Sequence, residues 1–293
     1  MSKNVVCFGE VLWDIFPKEK VLGGAPMNVA IRLQTIGAAS KIISKIGCDE
    51  LSIELINIIR QSGVDLSLIQ RDDNLHTGEV IVKLDEKGTA TYDIVYPSAW
   101  DKIEITVENQ TAVSNADAFV FGSLACRDEV SRATLLQLLH LAKLKVFDIN
   151  LRTPFYSIPF VTELMKKSDF IKLNDDELLI VSKALGSGST DIKENTKFIS
   201  SMTGAEMICV TLGANGAILY VEGIFYSHPG FKVKVEDTVG SGDSFLAALL
   251  FQLLNKTDYS EALKYACTIG AIVASKRGAN PVITDEEIDR FCN

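Results

Sequence analysis

The chain is short of the residues that build metal cages and disulfide scaffolds. Its six cysteines, Cys7, Cys48, Cys126, Cys209, Cys267 and Cys292, are scattered over 293 residues, and no two form a CxxC pair. That excludes a zinc ribbon and a thioredoxin-type redox motif. Most of them sit in apolar runs, so we expect buried, reduced thiols. The three histidines, His76, His140 and His228, are far apart, with no HExxH. Long apolar runs are also missing. The longest, such as 245–254, fall well short of the ~20 residues that cross a bilayer. The first residues lack the charged start and apolar stretch of a signal peptide, so the expectation is a cytoplasmic protein with no membrane partner. Positive charge is in deficit: Lys+Arg number 29 and Asp+Glu 38, a net charge of −9. A general nucleic-acid or anionic-membrane binder needs a basic footprint, so neither is expected as a partner. A small anion held by local groups stays open.

What is present is an ordinary globular composition, 47% apolar and 23% charged, which excludes disorder. Short apolar runs at 5–9, 41–46, 118–121, 145–149, 170–173 and 207–211 read as strands. Helical spacing appears at 26–36, 50–61, 130–142, 177–185, 193–202, 243–254, 260–275 and 285–291. Strand and helix in alternation predict an α/β fold, a doubly wound, mainly parallel sheet covered on both faces. One stretch breaks the rhythm. Residues 78–84 alternate Val80, Val82 and Leu84 with polar residues, Asp85-Glu86-Lys87-Gly88 reads as a turn, and 89–96 is extended again. With strands from 13–16 and 21–22 this makes a small sheet, either a lid over about 12–22 and 78–100 or an edge hairpin. No linker divides the chain, so one domain over 1–293 is expected.

The strongest chemical signal is Asp237-Thr238-Val239-Gly240-Ser241-Gly242-Asp243, just before the apolar run 245–254. Gly240 and Gly242 let the backbone bend tightly at a helix N-terminus, whose N–H groups and dipole favour an anion. Asp243 among those amides suits a base that takes a hydroxyl proton while the turn stabilises a transferring phosphoryl group. An Asp capping a glycine-rich loop fits equally well. A Walker-A loop, a GxGxxG fingerprint and a GxSxG elbow are all missing. A second signal is Gly23-Gly24-Ala25-Pro26-Met27-Asn28 at the start of the 26–36 helix, with Asp14 upstream after the first strand. It allows either a plain turn or the close approach of a polar ligand to Gly23, Gly24 and the Asn28 amide.

Together the two motifs resemble those of the ribokinase-like (PfkB) carbohydrate kinases, in the right order and over essentially the whole chain. The resemblance implies a ribokinase-like, Rossmann-type three-layer fold with a β-sheet lid that is often a dimer surface, hence a homodimer. It implies Asp243 as catalytic base, Gly240, Ser241 and Gly242 as the anion hole, and Asp14, Gly23, Gly24 and Asn28 as sugar ligands. Asn174-Asp175-Asp176-Glu177 is similar to the family's NxxE motif, which ties Asn174 to phosphate and Glu177 to Mg2+ through water; a helix cap would use the same residues. Thr211, Gly213 and Gly216 resemble the turn that touches ATP phosphates. The segment 274–280, with Asn280, resembles the part beside adenine and, with Asp237 and Val239, the K+ site of some members. The cofactors implied are ATP and Mg2+, with K+ in the members that carry that site.

The run Phe8-Gly9-Glu10-Val11-Leu12-Trp13-Asp14 looks most like bacterial fructokinases. Asp148-Ile149-Asn150-Leu151-Arg152 has the DxNxR form that these share with 2-keto-3-deoxygluconate kinases, so Arg152 is read as a substrate contact or a salt bridge. Fructose is the leading substrate, with ketodeoxygluconate or a nucleoside behind it. A sugar- or nucleotide-responsive regulator without catalysis is the reading from another class, and the intact Asp243 turn weighs against it.

Overall fold

The computed structural model describes residues 2–84 and 90–292. The turn expected at Asp85-Glu86-Lys87-Gly88 lies outside the described residues. The strands, in chain order, are β1 (Asn4–Phe8), β2 (Leu12–Ile15), β3 (Lys20–Gly23), β4 (Ala39–Gly47), β5 (Ile69–Asp72), β6 (Gly78–Leu84), β7 (Ala90–Ile94), β8 (Ala118–Gly122), β9 (Lys145–Asp148), β10 (Phe170–Asn174), β11 (Met207–Thr211), β12 (Ala217–Val221) and β13 (Ile224–His228). Nine of them form one sheet in the order β13-β12-β11-β10-β9-β8-β1-β4-β5. From β5 to β11 all pairs are parallel; β12 and β13 run antiparallel at one edge. The doubly wound, mainly parallel sheet expected from the alternation is therefore present.

Period two along β1 divides the core. Val5 and Cys7 face one layer, with the helices Ala25–Thr35, Glu50–Gln61, Ser241–Leu254 and Tyr259–Ala274. Val6 and Phe8 face the other, with Val107–Asn115, Glu129–Leu139, Ile158–Lys166, Asp175–Ala184 and Ile192–Thr203. Successive side chains of a strand point to opposite faces, so an unbroken apolar strand implies helices on both. Phe8, Phe119, Phe121 and Phe147 line the second face as a ladder of rings with centroids 5.1–6.2 Å apart.

A four-stranded sheet, β3-β2-β6-β7, stands apart. Its β2–β6 pair is parallel and its other pairs are antiparallel. Val80, Val82 and Ile94 on its inner face are buried, as the alternation requires. Four of the five described cysteines are buried and free. Cys48 departs from the expectation of burial: it is exposed because it follows β4 at the sheet's rim, just before the Asp49 N-cap of a helix.

Elements beyond the sequence expectation are the helices Val107–Asn115 and Ile158–Lys166, strand β5, and the β12–β13 hairpin. That hairpin turns at Glu222-Gly223, where both residues have positive φ, +46° and +92°. Two such residues make the type I′ turn that matches strand twist. A charged residue in the first position hid the signal.

Candidate active site

In a parallel sheet the loops that build a site leave the C-terminal ends of the strands. Here the ends of β1, β9, β10 and β11 deliver Glu10, Asp148 to Arg152, Asn174 and Thr211 to one rim. Asn174 and Thr211 are register partners on adjacent strands. Two helices start at this rim, each after glycine: Ala25–Thr35 after Gly24 and Ser241–Leu254 after Gly240.

Gly240 is the N-cap of the second helix and has φ +72°. A Cβ there would meet Ala279 at 2.6 Å, so both the conformation and the space require glycine. The helix it starts is buried from Ser244 to Leu250, which holds the turn rigidly. The first N–H groups of a helix have no partner within it. Those of Gly240, Gly242 and Asp243 have no acceptor among the described residues, while the Ser241 N–H turns back to the Thr238 carbonyl at 3.3 Å. The Ser241 hydroxyl donates to the Gly270 carbonyl at 3.0 Å and so ties the turn to the neighbouring helix. An ideal Cβ on Gly242 would lie 3.3 Å from Lys172 Nζ, so an ammonium stands beside the open amides.

Asp243 is the side chain on which the site converges. Asn28 Nδ2 donates to its Oδ2 at 2.8 Å. Burial pushes the Asp243 carboxyl above the ordinary carboxylate range, while Lys172, the Asn28 hydrogen bond and Arg152 pull it back. Lys172 is itself buried in β10 and paired with Asp148 at 3.0 Å. Burial alone would lower its pKa, but the Asp148, Glu177 and Asp243 carboxylates outweigh that and keep it charged. Asp14 lies against Gly23, close enough that a Cβ at 23 would strike its Oδ2. Burial pushes Asp14 up to about 6, and it feels both Arg152 and Asp243. The Arg152 side chain is exposed, and its guanidinium makes no hydrogen bond or ion pair with the described residues, so it remains open to an anionic or hydroxylated ligand.

The other expected residues fall into two groups. Glu177 is committed locally. Its two carboxylate oxygens accept from the N–H groups of Leu151 (2.8 Å) and Asn174 (2.9 Å), and Asn174 Oδ1 accepts from the Glu177 N–H, a complete capping box. Asp237 accepts from Val239 N–H and Gly278 N–H, both at 3.0 Å, which folds the 237–240 segment against 278. Val239 is exposed. Gly213 opens a 3-10 turn after Thr211, and Gly216 packs on the His228 carbonyl at the end of β13. Asn280 reaches the centre: its Nδ2 donates to Asn28 Oδ1 at 2.7 Å.

Three residues of the site escaped the sequence reading. Lys172 is the one charged residue in the buried strand Phe170–Asn174. Arg32, inside an apolar helix, donates to Ser244 Oγ at 3.1 Å and to the Pro281 carbonyl at 3.0 Å, joining three segments of the site. Glu10 is buried after β1, with Oε2 unpartnered among the described residues, and burial pushes it up to about 7. In each case a single ionisable residue interrupts an apolar run, and a buried charge needs a partner or a purpose.

The sequence profile of the pfkB family carbohydrate kinases matches residues 3–286. The chain belongs to that family. Among curated relatives of this PfkB kinase, the probable fructokinase-2 of Arabidopsis thaliana is 31% identical, covering 98% of this chain and 95% of the relative. Fructokinase-2 of Solanum lycopersicum is 30% identical over 96% and 93%. Of solved structures, an uncharacterized sugar kinase from Pyrococcus horikoshii in complex with ATP is 27% identical, with TM-score 0.83 over 98% and 99% of the two chains. A fructokinase from Xylella fastidiosa shares the fold at TM-score 0.87 and 22% identity, over 99% and 98%. Among the described residues no helix is long and apolar enough to cross a membrane.

Proposed function

We propose that this PfkB kinase transfers the γ-phosphoryl group of ATP to a free sugar, fructose, to give fructose 6-phosphate. The observation that carries this reading is Asp243 inside a helix N-terminus whose amides are open, with Lys172 beside them and Asn28 holding one carboxylate oxygen. Fructose is favoured because curated relatives alike over nearly their whole length are named a probable fructokinase and a fructokinase. The ATP bound by the Pyrococcus horikoshii relative supports ATP as donor.

The sugar lies between Asp14, Gly23 and Asn28, with Arg152 closing from the β9 loop. Asp243 takes the proton of the acceptor hydroxyl. The hydroxyl oxygen then forms its bond to the γ-phosphorus as the bond to the β,γ-bridging oxygen breaks, and ADP leaves with that electron pair. The amides of Gly240 and Gly242 and the Lys172 ammonium stabilise the charge on the phosphoryl oxygens. Among the described residues no three His, Cys, Asp or Glu side chains stand close enough to hold a metal ion, and both Glu177 oxygens already accept a backbone N–H. That donor set fits a Mg2+ ion that arrives on the nucleotide and meets Glu177 through water. When bound, it neutralises phosphate charge. K+ would sit in the 237–239 and 274–280 segments. The small sheet acts as a lid that excludes water from the transfer and as the surface of a homodimer. The chain is one cytoplasmic kinase domain.

The test is ATP consumption with a panel of free sugars, for the wild type and Asp243→Asn. Fructose should support turnover, and the variant should lose at least about a thousandfold in kcat while sugar binding persists. Binding of fructose without turnover in the wild type would leave a regulator, not a kinase.

A further inference from the structure

The amide of Asn28 has two neighbours, and only one orientation suits both. Its Nδ2 donates to Asp243 Oδ2, and its Oδ1 accepts from Asn280 Nδ2. The direction of this chain is set at its Asp243 end. A carboxylate only accepts, so Asn28 must turn its NH2 toward Asp243. Its carbonyl oxygen then faces Asn280, and only the Asn280 NH2 satisfies it. Flipping either amide would set two acceptors or two donors against each other. Asn280 is firmly presented for this. Arg32 holds the carbonyl of the next residue, Pro281. Ala279 seats against Gly240, and Gly278 is pinned by Asp237. The loop that carries Asn280 thus touches both the glycine turn and the Asp237 segment.

We propose that Asn280 is a positioning residue for the catalytic base: it locks the Asn28 amide in the orientation that donates to Asp243. The carboxylate Oδ2 is thereby held, and Oδ1 is left to take the hydroxyl proton. Asn280 touches neither sugar nor phosphate in this role. The inference rests on the kinase reading of Asp243 and adds to it the group that orients the base. Other charges also bear on Asp243: Lys172 and Arg152 favour its ionised form, while Glu10, Asp14 and Asp148 are carboxyl groups that feel its charge. None of them touches the Asn28 amide.

A double-mutant cycle isolates the relay. Asn280→Ala should lower kcat about tenfold, with KM for sugar within about threefold, and move the acid limb of the kcat profile to higher pH, because Asp243 loses a fixed donor. In an Asn28→Ala background the same change should be silent. Asn280→Asp keeps the size but replaces the donor with an acceptor that demands the Asn28 NH2, so it should be worse than truncation, which a packing role would not produce. The Asp243 carboxyl is also titrated directly by 13C NMR, assigned through Asp243→Asn. It should titrate at higher pH in both Asn280 variants, with folding confirmed by near-UV circular dichroism. If truncation unfolds the loop, the isosteric variant carries the test against wild type. A wild type with no sugar turnover would defeat the kinase reading, while the NMR titration would still decide the relay. An unchanged Asp243 titration in folded variants, or additive losses in the cycle, would overturn the inference.

Discussion

The two glycine turns of this protein follow one local grammar and end in opposite states. Gly23-Gly24 leads into Ala25–Thr35, and Gly240-Ser241-Gly242 leads into Ser241–Leu254. Each glycine before the helix has positive φ, +108° at Gly24 and +72° at Gly240. The first turn is filled from within the chain. Glu10 crowds it: its backbone carbonyl stands against Gly24, and its buried carboxyl lies beside the Ala25 N–H. The second is open at Gly240, Gly242 and Asp243, with an ammonium beside it. The Asn28–Asp243 hydrogen bond joins the two helix starts. A helix N-terminus is therefore open to an incoming anion only where its own chain has not already filled it. On the proposed reading, that difference suits the first turn to neutral sugar hydroxyls and the second to phosphate.

The largest way to break the comparison is to remove the ammonium of the open turn. Lys172→Met leaves Asp148 buried without its partner. Unfolding in urea should show a loss of about 3–5 kcal/mol, the usual cost of breaking a buried ion pair from one side. Isothermal titration should show weaker ADP binding as well. If stability falls and ADP affinity holds, Lys172 serves the fold alone and the open turn attracts phosphate by its amides only.

The filled turn is tested through its plug. Glu10 has its carboxyl raised by burial from the ordinary 4.5 to about 7. Below about pH 4.5 both folded and unfolded states hold the proton, so the group costs nothing. As pH rises from there to about 7 the unfolded state ionises first, and stability falls; above 7 the loss is constant. Glu10→Gln has the same shape and cannot ionise. It should be more stable than the wild type by on the order of 2–3 kcal/mol above pH 7, converging with it below about pH 4.5. Urea unfolding at pH 4.5, 6 and 8 measures this. An equal difference at all three values would mean that the carboxyl is not held neutral, and the plug would count as a bound anion.

Much of this was legible in the residues, and the limits are physical. The alternation of apolar runs with helical spacing predicted the sheet and its layers because strands buried on both faces need no polar pattern. At Gly240 and Asp243 the glycine bend before an apolar helix left an anion site and a plain cap equally open, and the resemblance of the two motifs together favoured the first. The state of each turn was not legible. The plug for Gly24 comes from Glu10, fourteen positions upstream, and the ammonium beside Gly242 comes from a separate strand, so neither lies in its motif. Glu177 shows the same limit from the other side: its motif suited a metal or a cap, and only the hydrogen bonds reveal the cap. Val107–Asn115 was missed because its apolar positions are few and Val107 itself is exposed.

The smallest expected effect separates the amides of the open turn from its side chains. Ser241 stands between the two glycines, yet its N–H is turned back to Thr238 and its hydroxyl is spent on the Gly270 carbonyl. The side chain therefore acts as a brace between two helices and points nothing at the ligand. Ser241→Ala keeps every backbone amide and removes one hydrogen bond to a partly buried carbonyl. Thermal and urea unfolding should register a loss of about 1 kcal/mol, while kcat and KM for ATP shift by less than about threefold. A kcat loss of a hundredfold would place the hydroxyl on the phosphoryl group and make the open turn a site of side chain as well as backbone. A change confined to stability leaves the amides and Lys172 as its only donors, as the comparison of the two turns requires.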